Sequence, residues 1–286
     1  MSQTIKPVDI RIYDNGSDAA TYDSIRRYLD SGVQWFAAEN PSHNCQQNFR
    51  RAVHDVCTKY IVIMHDDDRL CENFIENQIK LLESNECVVA VSCNGYLVDE
   101  FGKRTGQLIF SDCCEMNLEM YSSSADVAMR YASDRCIPFS PAVYQTEVLR
   151  RVNFREEYDK VVDVVLFCDL ADVGIVAYQS NALYECRIHE GQDSNYISTE
   201  VLEKLNRFLW TRKTKNYEDK IDLHKLLIAQ QTSHKLQTIL KLLRRPHSFR
   251  DTITEFGKFQ NGVFSPSAAV KIIVKAILKR FAGICK

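Results

Sequence analysis

Residues 60–70 read YIVIMHDDDRL, an apolar run from Ile61 to Met64 that stops in three consecutive carboxylates, Asp66, Asp67 and Asp68. Such a run suits a short strand buried on both faces, and in open α/β sheets the carboxyl ends of these strands open into the ligand crevice. Three adjacent carboxylates repel one another unless a cation lies among them, and oxygen-only ligation suits Mg²⁺ or Mn²⁺, commonly shared with a substrate's phosphates. Taken alone, an Asp triplet is more often a solvated acidic turn capping the next helix, since perturbed carboxylates mark sites only statistically. The rest of the chain reverses that preference.

Around this run, strand and helix signals alternate. Val8, Ile10 and Ile12 fall on one face of a strand that ends in Asp14-Asn15-Gly16-Ser17-Asp18, a cluster of turn formers. Ser17 or Asp18 can cap a helix carrying Tyr22, Ile25 and Leu29, with Gly32 beyond its end and a short strand over Val33 to Phe36. Phe49, Ala52, Val53 and Val56 have helical spacing and lead into the Tyr60 strand. Ile75, Ile79 and Leu82 form another helix stripe, followed by a buried strand over Cys87 to Ser92. This alternation predicts a mainly parallel sheet with helices on its faces.

Between Val98 and Ser133 the pattern weakens to a long polar connection with one helix near Ala125 to Ala132. Thr146 can cap a short helix over Glu147 to Val152. Val161 to Gly174 reads as a buried helix with Asp163 the charged misfit near its start and Asp169 and Asp172 exposed. Strands are expected over Ile175 to Tyr178 and Ala182 to Ile188, before RIHEGQDS. From about residue 198 to Arg245 the chain turns helical and Lys-rich, and Pro246 breaks it. In Ser267 to Lys286, Val270, Ile273, Val274, Ile277, Leu278 and Phe281 oppose Lys271, Lys275 and Lys279, the outline of a cationic amphipathic helix.

Composition excludes several classes. A net charge of -2 gives no broad basic surface for nucleic acid, and 45% hydrophobic with 26% charged residues is ordinary for a globular chain. No stretch reaches the ~18 apolar residues of a membrane span. The 11 cysteines contain no C-x-x-C pair and MSQTIKPVD has no apolar signal core, so they read as reduced cytosolic thiols, Cys87 and Cys168 among them as small core residues.

Four elements in order, DNGS at 14–17, HDDDRL at 65–70, VVDVVLF around Asp163 and CRIHEGQDS around His189, with IPFSPAVYQTEVLRRVNF between them, resemble glycosyltransferase family 2 over about residues 8–195. The resemblance implies a GT-A fold: a Rossmann-like α/β domain with a mixed, mainly parallel sheet over residues 1–197. The Lys-rich helical pattern and Pro246 divide the rest into a helical extension over 198–245 and a C-terminal segment over 246–286. It implies inverting transfer from a nucleotide-sugar donor, a UDP-sugar first among them, with Mn²⁺ or Mg²⁺ as cofactor. It places Asp14, Asn15, Asn44, Asp66 and Asp67 on the donor, Asp66, Asp68 and His189 on the metal, and Asp163 as the base that activates the acceptor hydroxyl. A carboxylate opening an apolar helix is partly desolvated, which raises its pKa toward a useful value. Without the resemblance, Asp14 and Asp163 read equally well as helix-end charges, and His189 better as a surface histidine.

The acceptor implied is a glycan or polyprenyl-linked glycan of bacterial surface polysaccharide, O-antigen or capsule in type, at the cytoplasmic face of the cell membrane. Residues 267–286 would add peripheral contact, lysines near anionic lipid contributing ~1 kcal/mol each. Only residues 1–7 precede Val8, where the family has a first strand and helix, so neighbouring strands are expected to lack a partner and this chain alone to be poorly active. A catalytically impaired nucleotide-sugar-binding homologue or partner subunit is the alternative. A nucleotidyltransferase fits less well, because no Gly-rich basic phosphate loop is present.

Overall fold

The computed structural model describes residues 2–37, 45–111, 118–152, 154–189, 197–216 and 218–230. Asn44 and the segment 246–286, including the amphipathic stretch 267–286, lie outside the described residues. The chain begins with a strand β1 (Arg11–Tyr13), a helix α1 (Ala19–Leu29) and a strand β2 (Gln34–Phe36). β1 and β2 pair in parallel and, among the described residues, only with each other. Asp18 caps α1, its carboxylate accepting from the Thr21 N–H at 2.8 Å. No residue of α1 is fully buried.

After α2 (Cys45–Asp55) come β3 (Tyr60–Val62), β4 (Arg69–Leu70), α3 (Phe74–Ser84), β5 (Val88–Val98), β6 (Arg104–Leu108), β7 (Leu118–Tyr121), α4 (Ser124–Ala132), β8 (Val143–Gln145), α5 (Thr146–Arg151), a 3-10 turn (Glu156–Val161), α6 (Val162–Ala171), β9 (Ile175–Arg187) and α7 (Thr199–Trp210). Residues 218–230 are again helical. One compact unit runs to Leu226. No described helix is long and apolar enough to cross a membrane.

A seven-stranded sheet has the order β3-β8-β5-β9-β4, with β6 added on β5 and β7 on β9. It is mixed, as expected, and its longest ladder, β5 with β9, is parallel. The flanking pairs are antiparallel, a larger share than the alternating pattern suggested. The cause is local for β6, which follows β5 through the tight turn 99–103; a hairpin joins only antiparallel strands. Gly102 takes the positive φ (81°) that this turn needs.

β5 is buried continuously from Val88 to Gly95, the polar Ser92 and Asn94 included, and runs well past the Cys87 to Ser92 expected from sequence. Phe74 and Leu82 of α3 pack on Val88, Val91 and Cys93 of β5, Val143 of β8 and Ala177, Leu183 and Tyr184 of β9. In α6, Val164 to Cys168, Leu170 and Ala171 are all buried, so this helix is apolar all round.

Several expectations need correction. The connection 98–133 contains β6 and β7, whose sequences RTGQL and LEMY expose most residues and so carry no apolar alternation. The two strands expected over 175–188 are one, β9, because Gln179, Ser180 and Asn181 continue it through register shifts against β5. Cys87 is exposed, while Cys168 is buried as expected. Asp169 is not exposed: Arg155 pairs with it at 3.1 Å. Gly174 is required by close approach, since a Cβ there would lie 2.3 Å from Val89 Cγ1.

Candidate active site

The apolar run places Ile61 and Ile63 in the core and leaves His65 to Asp68 at the carboxyl end of β3, the position the sequence implied. β4 then binds antiparallel to β9, Arg69 opposite Glu185, which folds the aspartate loop against the end of β9. Asp68 is fixed there: its Oδ1 accepts from the Arg187 backbone N–H at 3.0 Å and its Oδ2 from the Tyr184 hydroxyl. Burial raises the Asp68 pKa, opposed by these two donors and by His65. The Arg187 guanidinium donates to the Asp67 carbonyl at 2.9 Å and to the carbonyls of Asp99 (3.2 Å) and Glu100 (2.7 Å), tying the loop to the turn after β5. Two residues on, His189 Nε2 lies 3.0 Å from Asp67 Oδ2. The R-x-H motif thus splits its work: the arginine holds the loop's backbone and the histidine meets its side chain.

Among the described residues, His65, Asp67 and Asp68 offer ligand atoms all within 4.8 Å of one another. Asp66 is exposed and stands outside this group, and His189 joins it through Asp67. Two carboxylates and an imidazole form a donor set that fits a divalent cation such as Mn²⁺.

Asp163 is the second residue of α6 and is largely buried. Burial pushes its carboxyl up to about 6 from 3.8, with hydrogen bonds from its own and the Val164 N–H and the charge of His65 working the other way. Tyr131, Cys136 and Tyr144 feel its charge in turn. The charge of His65 thus acts on both Asp163 and Asp68.

Asp14 closes its own turn, Oδ1 accepting from Ser17 N–H at 3.0 Å. Its pKa is lowered: partial burial acts upward, but hydrogen bonds from Ser17, Gly16 and Asn15 outweigh it. Asn15 is exposed beside it. The start of α2 joins this turn to the base. Asn48 donates to the Asp14 carbonyl at 3.0 Å, and Gln46 donates to the Asp159 carbonyl at 3.0 Å, four residues before Asp163. Both amides are 5% exposed.

His65, Tyr184, Arg187, Gln46 and Asn48 were not among the residues picked from sequence. Arg187 lies inside the R-x-H motif, which was a usable signal, whereas buried glutamine and asparagine look like any polar helix face.

The family model described as Glycosyl transferase family 2 matches residues 1–152. The chain belongs to glycosyl transferase family 2. No curated protein matches it. Among solved structures, S. aureus TarS 1-349 in complex with UDP-GlcNAc is similar at a TM-score of 0.64 and 13% identity, over 90% of this chain and 74% of that one. The same protein with UDP aligns at 0.57 and 13%, over 79% of this chain and 64% of that one, so here the chain spans less than two thirds of its relative. The mannosyltransferase PcManGT from Pyrobaculum calidifontis, in complex with GDP-Man and Mn²⁺, aligns at 0.51 and 15%, over 96% and 73%. At these identities the likeness concerns the fold, which is GT-A.

Proposed function

We propose that this family 2 chain is a metal-dependent inverting glycosyltransferase that moves one sugar from a nucleotide-sugar donor to a glycan or polyprenyl-linked acceptor. The observation that carries the reading is the pairing of a dication-sized donor set, His65, Asp67 and Asp68, with a largely buried carboxylate of raised pKa, Asp163. A bound Mn²⁺ or Mg²⁺ would supply Lewis-acid neutralisation of the departing diphosphate. Asp67 and Asp68 would hold it, with Asp66 and His189 at the edge of the site. Asp163 takes the proton of the attacking hydroxyl, and its raised pKa suits that task near neutral pH. Asp14 and Asn15, at the end of β1, would face the nucleoside. A UDP-sugar is the first donor to test because the TarS structures contain UDP and UDP-GlcNAc. Bacterial surface polysaccharide, made at the cytoplasmic membrane face, is the setting that the family resemblance and the cationic stretch 267–286 support.

A screen of nucleotide sugars by thermal shift, with Mn²⁺ and with EDTA, tests donor and metal together. A stabilising donor whose effect vanishes in EDTA is expected, and no stabilisation by any nucleotide sugar in Mn²⁺ would count against the reading. Asp163→Asn should keep donor binding and lose turnover. Unchanged turnover would leave a donor-binding role without Asp163 catalysis.

A further inference from the structure

The aspartate loop brings an imidazole where the sequence directs attention to carboxylates. The His65 side chain is 54% exposed, and its Nδ1 lies 3.8 Å from Asp68 Oδ2, beyond hydrogen-bond range. The two carboxylates beside it are engaged. Asp68 accepts from Tyr184 and from the Arg187 N–H, and Asp67 Oδ2 meets His189. Among the described residues no hydrogen bond engages the ring nitrogens of His65, which also packs at a tilt on Phe139, centroids 6.4 Å apart. The ring thus rests against an aromatic neighbour near a carboxylate that it does not hydrogen-bond, and it keeps a nitrogen for a ligand.

We propose that His65 is a direct ligand of the dication and that it biases the site toward a transition-metal ion, Mn²⁺ among them, against Mg²⁺. The inference rests on the metal-dependent reading above. Its physical basis is ligand type: Mg²⁺ prefers oxygen donors and gives up water reluctantly, whereas imidazole nitrogen suits first-row transition ions. Replacing one carboxylate by an imidazole also leaves the site with less negative charge, which weakens a hard ion held mainly by charge. Carboxylates alone would accept either ion.

The test uses the full chain with UDP present. Mn²⁺ and Mg²⁺ are titrated calorimetrically, and the bound Mn²⁺ is examined by pulsed electron paramagnetic resonance, in which a coordinated imidazole nitrogen modulates the echo. Wild type should bind Mn²⁺ at least about tenfold more tightly than Mg²⁺, and His65→Asp should narrow the ratio by about tenfold. The nitrogen modulation should disappear in His65→Ala and persist in His189→Ala. Modulation that survives in His65→Ala, or a Mn²⁺ to Mg²⁺ ratio unchanged in His65→Asp, would overturn the role of His65 and leave the metal site standing. Failure of wild type to bind either ion with UDP would instead remove the metal-dependent reading, and this inference with it. Unchanged circular dichroism in EDTA for all three variants separates loss of a ligand from loss of fold.

Discussion

At the scale of single residues, the role proposed for Asp163 sets function against stability. Its carboxyl titrates at about 6 in the folded chain against an ordinary 3.8, and burial is the first cause. The folded state therefore binds a proton where the unfolded chain has released it, and folding loses stability as pH rises from about 4 to about 6. Each tenfold of that displacement is worth about 1.4 kcal/mol, so the buried charge costs about 3 kcal/mol above pH 6. Asp163→Asn should accordingly be more stable than wild type at pH 8 in EDTA, with the two converging near pH 4, when measured by urea unfolding. A less stable variant at pH 8 contradicts the assigned burial. Tyr184→Phe removes a donor from Asp68 and leaves the proposed ligand groups in place, and losing such a support typically lowers metal affinity 10- to 100-fold. Calorimetry with Mn²⁺ and UDP should show that loss, and unchanged affinity would mean that Arg187 alone suffices to hold Asp68. The aspartate loop was legible in the sequence because apolar run and carboxylates are contiguous. Its supports were not: Tyr184 stands 116 residues from Asp68, a separation no local pattern bridges.

Between elements, two contacts decide how the site's framework holds. Gly95 in β5 meets Tyr184 of β9 so closely that a Cβ would lie 2.5 Å from Tyr184 Cδ1 and 3.1 Å from its carbonyl oxygen. Gly95→Ala should therefore push Tyr184 away from Asp68, costing about 1–3 kcal/mol of stability as overpacking does. It should also weaken Mn²⁺ binding, which a purely structural defect elsewhere in β5 would not. Loss of stability with metal affinity intact would disconnect the two strands' packing from the loop. The second contact closes α2. Arg150 of α5 donates to the carbonyls of Val53 (3.1 Å), His54 (3.4 Å) and Val56, placing a cation on the carbonyls that end that helix. Arg150→Ala should cost about 1.5–3 kcal/mol by thermal unfolding, in the range of hydrogen bonds to charged groups. A change below about 0.5 kcal/mol, ordinary for a surface site, would refute the capping role. α3 could be read from its one buried stripe, and α6 and the start of β5 from their apolar runs, because these elements bury one face or all faces. β6 and β7 could not, since they are edge additions with polar, exposed residues, and their pairing depends on strands already in place.

At the scale of the molecule, stability is unevenly distributed among the described residues, and the Asp14 turn lies at the weak end. β1 and β2 are three residues each, pair only with each other among the described residues, and bury none of their side chains fully. α1 between them buries none either, and an isolated helix of this length is marginal in water. What holds this segment to the rest is a small set of polar and aromatic contacts. Arg11 donates to the Asp55 carbonyl at 3.0 Å, Tyr13 to the Asp55 carboxylate at 3.2 Å and Asn48 to the Asp14 carbonyl, while Arg51 lies over the stacked rings of Tyr13 and Phe36. The β5–β9 ladder, by contrast, is buried over most of its length. Local opening follows buried apolar contact, so the amides of Gln34 and Asp14, which donate to Ile10 and Phe36 across β1–β2, should exchange hydrogen well before those of β5. If Asp14 and Asn15 face the nucleoside, a saturating nucleotide sugar with Mn²⁺ should slow exchange at Asp14 and Gln34 selectively. At 100 times its dissociation constant a ligand stabilises the form it binds by about 2.7 kcal/mol, enough for about a hundredfold slowing where that opening abolishes binding. Equal protection of the two sheets without ligand would contradict the uneven distribution, and donor binding that left Asp14 and Gln34 unprotected would place the nucleoside elsewhere.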